Sequence, residues 1–184
     1  MAYDVLAESV ALIEAGRAEP VSRLSRRRRF APMAVDVDGD AAVTMFARRG
    51  VGRVVKETHV LVLRDGEWTC LGGGASDGDQ DLLADRPELL PRFLGLGLPG
   101  GDPRVMASTG RGGSSDGGDG IGPSPPRWIS YSELRVNAEV TSVRVADRLL
   151  AVPWHGHVLV VWSGHPPHVV ARDQAGKSLA EMQL

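Results

Sequence analysis

The chain is poor in cysteine, in aromatic rings and in long apolar runs, and each shortage excludes something. One cysteine, Cys70, stands in 184 residues, so no internal disulfide can form. Nothing in the cysteine usage points to an oxidising compartment. No apolar run approaches the ~20 residues that a bilayer-spanning helix needs. The opening residues, Met1-Ala2-Tyr3-Asp4-Val5, have no basic start and no apolar stretch of signal-peptide length. A cytoplasmic protein without membrane contact is therefore expected. The net charge is only −2, so no global field draws the chain to polyanions.

Recognisable chemistry is scarce too. Gly72-Gly73-Gly74 is not followed by the Lys-Ser/Thr of a phosphate loop. The acidic stretch 77–81 lacks the closing glutamate of a calcium loop, so helix capping is its simpler role. No helical His-Glu-x-x-His occurs, and no cofactor is predicted.

What is present suffices for a core. Hydrophobic residues make up 42% and charged residues 24%, while 23 glycines imply extensive turns. Residues 4–15 read as a helix with Leu6, Val10 and Ile13 at helical spacing, widened by Val5 and Leu12. Asp4 suits its N-cap and Gly16 its end. From Met33 the period becomes two. Residues 33–37 and 41–47 flank Asp38-Gly39-Asp40, and 54–64 and 67–71 flank Asp65-Gly66. A two-residue turn at Asp65-Gly66 pairs Arg64 with Glu67, Leu63 with Trp68, Val62 with Thr69 and Leu61 with Cys70. Short helical turns are expected around Leu82-Leu83 and over 87–94.

Residues 95–127 are rich in Gly, Ser and Pro and read as a flexible loop or linker, with Val105 and Met106 as one possible anchor. Beyond it, 128–184 is a run of short strands. Alternation over 134–140 shifts parity before Val143, which demands a bulge or turn near Thr141-Ser142. Residues 149–152 and 158–162 follow, the latter apolar on both faces. A last hairpin spans 169–172 and 177–182. The fold class is thus α+β, mainly antiparallel β. An N-terminal helix and hairpins (1–94) and a C-terminal β-meander (128–184) form a sandwich- or barrel-like sheet around the long loop. The tail of 57 residues is a marginal core alone, so it is expected to pack on 1–94 as one composite domain.

Three sets of residues could carry function. His155 and His157, at i and i+2 on an extended segment, could chelate one ion. His165 and His168 lie past the strand, roughly 17 Å from His157 if that strand is straight, so one four-histidine site is not expected. Arg23, Arg26, Arg27, Arg28 and Arg29 form the one dense charge run. They read either as an anion-contacting arm or as solvated charges paired with Asp36, Asp38 and Asp40. His59, Cys70 and Trp68 share a face of the second hairpin and could line a pocket or pair a thiol with an imidazole. Trp162 is expected in the core.

No catalytic constellation assembles, so the leading reading is a non-enzymatic binding or assembly module. It would engage a protein partner, or a second copy, through its β-rich surface. The alternatives are a ligand-binding protein or enzyme with a pocket between helix and sheet, and a nucleic-acid-binding accessory protein using residues 23–29.

Overall fold

A computed structural model describes residues 3–77, 82–88, 90, 104–111 and 128–184. Helix α1 (Val5–Ala15) begins where Asp4 accepts hydrogen bonds from the amides of Leu6 and Ala7 at 3.1 and 3.2 Å. It ends at Gly16, whose left-handed φ of 66° closes the last turn. Its buried residues are Ser9 and Leu12, and Leu6 is 40% exposed, so the contact face is rotated from the expected stripe. The Ser9 and Thr44 hydroxyls meet at 2.9 Å and pin the helix to the sheet beneath.

That sheet is an antiparallel meander of β1 (Phe30–Asp38), β2 (Ala41–Arg49), β3 (Val54–Arg64) and β4 (Glu67–Asp77). The Asp65-Gly66 turn has positive φ at both residues, 51° and 85°, the geometry of a two-residue hairpin loop. The pairs Arg64–Glu67, Leu63–Trp68, Val62–Thr69 and Leu61–Cys70 form as the turn chemistry dictates. The register then shifts, so that Val60 pairs with Gly72 and His59 with Gly73. Strand β4 runs on through the three glycines to Asp77.

Two further sheets follow. One orders β5 (Val105–Arg111), β6 (Ile129–Val136) and β9 (His157–Ser163). The other orders β11 (Ser178–Gln183), β10 (His168–Arg172), β7 (Ser142–Val145) and β8 (Arg148–Ala151). All pairings are antiparallel. None of the three sheets closes, which corrects the barrel alternative. The tail is not one meander either, because β9 leaves its sequence neighbours to pair with β6.

The middle sheet separates two cores. Leu159, Val161 and Ile129 meet Met33, Val43, Met45, Val60 and Val62 of the first sheet. Val158, Val160, Trp162, Leu134 and Val136 meet Val143, Val145, Val169 and Ala171 of the last. This is why 158–162 is apolar on both faces: β9 is covered on both sides. Burial of this kind contributes roughly 25 cal/mol per Å² of apolar surface.

Other expectations shift. The strand expected over 134–140 ends at Val136, and the parity change is a turn rather than a bulge. Leu82 and Leu83 lie in a turn instead of a helix, and both are buried in the first core. Within the expected loop, Val105–Arg111 is a strand. The caps at Asp79 and Asp81, most of the segment 87–94 and the remainder of 95–127 lie outside the described residues. No helix among the described residues is long and apolar enough to cross a membrane.

Candidate functional site

The histidines are the first test, because they stand out in the sequence. His155 is fully buried. Its Nδ1 accepts from the His157 amide at 3.0 Å, so Nε2 carries the proton and donates to the Met33 carbonyl at 3.1 Å. Both nitrogens are thereby occupied, and His155 has no lone pair left for a metal. His157 Nδ1 faces Glu133 Oε1 at 2.7 Å, and Lys56 Nζ donates to Glu133 Oε2 at 2.6 Å. Arg135 donates to the His155 carbonyl. The pair is therefore a joint between the first and middle sheets, not the chelate that its spacing would allow.

Electrostatics agree with that reading. Burial pushes the His155 pKa down to about 3, and the neighbouring His157 adds to it, so the ring is neutral near pH 7. Burial lowers His157 as well. Glu133 is raised by burial, but the hydrogen bond from His157 and the charge of Lys56 outweigh it and hold it at about 2. Among the described residues no group of three His, Cys, Asp or Glu could hold a metal ion. His165 and His168 are exposed at the far end of β9. Trp162 lies in the second core, while the partly buried Trp154 donates its indole N–H to the Leu83 carbonyl at 3.1 Å.

The second set does not assemble. The register shift after Val60 puts Gly73, rather than Gly72, opposite His59, one residue further from Cys70 along β4. Cys70 is exposed, and its Sγ approaches only the Gly72 carbonyl, at 3.7 Å. His59 points into the layer under α1, with its ring centroid 6.1 Å from that of Phe46. A Cβ on Gly73 would fall 2.5 Å from His59 Nδ1 and 2.6 Å from the Thr58 carbonyl, so only glycine fits beside this ring. His59 Nε2, Glu57 Oε2 and Tyr3 Oη are all buried without a hydrogen-bond partner among the described residues.

The arginine run does assemble into something larger than itself. A reverse turn folds it back. The Ser25 amide donates to the Arg28 carbonyl at 2.8 Å, and the Arg28 amide donates to Ser25 Oγ at 3.0 Å. The Arg49 amide then donates to the Arg29 carbonyl at 2.7 Å, docking the run against the β2–β3 loop. The result is an open groove of about 640 Å³ lined by Arg26, Arg29, Arg48, Arg49, Gly50, Val51, Arg53 and Val55. Arg23, Arg27 and Arg28 are exposed and do not line it.

Charge in the groove is only partly offset. Arg48 Nε pairs with Glu57 and Arg53 with Asp77. Arg26, Arg29 and Arg49 have no carboxylate within 4.0 Å among the described residues. The expected pairing with Asp36 is corrected. Asp36 is buried and engages Arg148 at 2.7 Å and the Val161 amide at 2.8 Å instead. Arg48, Arg49 and Arg53 are not among the residues that the sequence analysis singles out. The signal was there: Arg48-Arg49-Gly50-Val51-Gly52-Arg53 is a second basic cluster, at a hairpin end.

Comparison of the chain with protein-family models, curated proteins and solved structures gives no match.

Proposed function

We propose that the protein is a non-enzymatic binding module whose arginine groove takes the phosphate backbone of nucleic acid. One observation carries this. Five arginines from two separate segments converge on one groove, three of them without a carboxylate among the described residues, in a chain whose net charge is −2. Guanidinium groups match phosphate oxygens two bonds at a time, and their charge survives at any physiological pH. No aromatic ring among the described residues lines the groove, so they offer bases no stacking platform there. Contact with the backbone of a duplex, indifferent to sequence, suits that lining better.

The test is fluorescence anisotropy of a labelled mixed-sequence duplex across a salt series. The expected log–log slope is roughly −3 to −5, as about three to five neutralised phosphates require. Alanine at Arg26, Arg29 and Arg49 together should flatten the slope and weaken binding. An absence of binding at low salt, or a triple variant that binds like the wild type, rejects the proposal.

A protein partner is the second reading, favoured by β4. It ends its sheet, is exposed along most of its length and carries no lysine or proline to block pairing. Such an edge could accept a strand from a partner or a second copy. Light scattering of the wild type and of Trp68→Pro, whose amide lies in a non-hydrogen-bonded pair and faces the open edge, tests it. A monomer at high concentration with no change on substitution argues against self-pairing.

A further inference from the structure

We infer that Glu57 is a positioning residue of the arginine groove: it holds Arg48 by Nε so that the two η nitrogens are presented to a bound phosphate. The inference rests on the anion-binding reading above. Glu57 faces the α1 side of β3, and the register places Phe46 opposite it, one step along the same face from Arg48. It is 7% exposed, yet it accepts from Arg48 through one oxygen only. The η nitrogens of Arg48 have no partner among the described residues, and the side chain reaches the groove wall.

The other groove arginines are held differently. Arg26, Arg29 and Arg49 have no carboxylate to orient them among the described residues, and the Arg53–Asp77 pair is exposed on both sides, at 59% and 69%. A pair so open to water fixes little. Among the described residues Arg48–Glu57 is the groove's one pair with a buried member. Glu57 is itself confined. His59 Nε2 lies 3.9 Å from its second oxygen, and Tyr3 supplies a buried hydroxyl to the same layer. A long arginine chain held in one geometry before the ligand arrives loses less freedom on binding.

The two physical readings of Glu57 make opposite predictions. If it only adds negative charge beside a cationic groove, its removal tightens anion binding. If it positions Arg48, its removal weakens binding although a negative charge is lost. Duplex affinity would be measured at fixed ionic strength for the wild type and for Glu57→Ala, Glu57→Gln, Glu57→Asp and Arg48→Ala. Glu57→Ala is expected to bind about threefold to tenfold more weakly. Glu57→Gln keeps an oxygen for Nε and should restore affinity to near wild type. Glu57→Asp keeps the charge but shortens the reach, so it should bind weakly, and it covers the case in which the alanine variant does not fold. In the Arg48→Ala background, Glu57→Ala should change nothing further. Tighter or unchanged binding by Glu57→Ala or Glu57→Asp overturns the inference, as does an equal loss in the Arg48→Ala background. A wild type that binds no duplex rejects the groove reading itself and this inference with it.

Discussion

Two polar regions of this protein are built on opposite terms. At the seam between the first and middle sheets, His155, His157, Glu133 and Lys56 are threaded into one network, and both nitrogens of His155 are engaged. In the groove at the β2–β3 loop, five arginines converge and, among the described residues, only two meet a carboxylate. The histidines are conspicuous in the sequence, yet their hydrogen bonds are spent on architecture. The groove arginines are spread over two segments, yet they keep donors free for a ligand. Residue type is thus a poor guide to function. Whether a polar group has already been satisfied by the fold is a better one.

Substitutions in the two regions put that contrast to the test. The largest effect belongs to Asp36, which ties the layers together by accepting from Arg148 and from the Val161 amide. Asp36→Ala leaves the largely buried Arg148 guanidinium bonded to the Val37 and Val161 carbonyls but without its counter-charge, and it removes the acceptor of the Val161 amide. A loss of about 3–5 kcal/mol is expected by urea denaturation. A loss below about 1 kcal/mol would show that the seam does not depend on this carboxylate.

Acid comes next. An unfolded histidine takes up a proton near pH 6.5, whereas folded His155 resists until about pH 3. Between those values the unfolded chain binds more protons, so stability is fully present above about pH 6.5 and falls as the pH drops towards 3. Glu133, held at about 2, adds a second loss as the pH falls below about 4.5. Asp36 works the other way, because burial raises its pKa. Denaturation midpoints at pH 7, 5 and 4 check the sum. His155→Asn, which keeps a donor and an acceptor but no titration, should show a shallower decline between pH 6.5 and 5.

Gly73→Ala is the third. The added carbon meets the His59 ring and the Thr58 carbonyl, and a cost of about 1–3 kcal/mol is expected. Calorimetry reads it as a lowered melting temperature. An unchanged melting temperature would mean that β3 and β4 part easily there.

The smallest stability effect is predicted for the groove. Alanine at Arg26, Arg29 or Arg49 should each shift stability by no more than about 0.5 kcal/mol, since none has an ion pair among the described residues. The same changes should weaken duplex binding. Equal stability losses in groove and seam would erase the comparison.

Much of the local structure was legible beforehand. The caps of α1, the Asp65-Gly66 hairpin and its first four pairs follow from backbone preferences within a few residues. The apolar character of 158–162 announced a strand covered on both faces. It could not announce the partner, and β6 takes that place. The shift after Val60 was hidden because three glycines give no alternation to read, and it put Gly73 opposite His59.

By itself the sequence determined which stretches are extended, where the chain turns and which side chains must leave water, because those depend on dihedral preferences and on periodicity. Tertiary structure alone decided that β9 would divide two cores, that Asp36 would take Arg148 rather than the arginine run, and that Arg26 and Arg29 would meet Arg48, Arg49 and Arg53. Those outcomes depend on distances between residues far apart in the chain. They are settled only when competing apolar faces and buried charges find the arrangement that leaves the fewest of them unpaired.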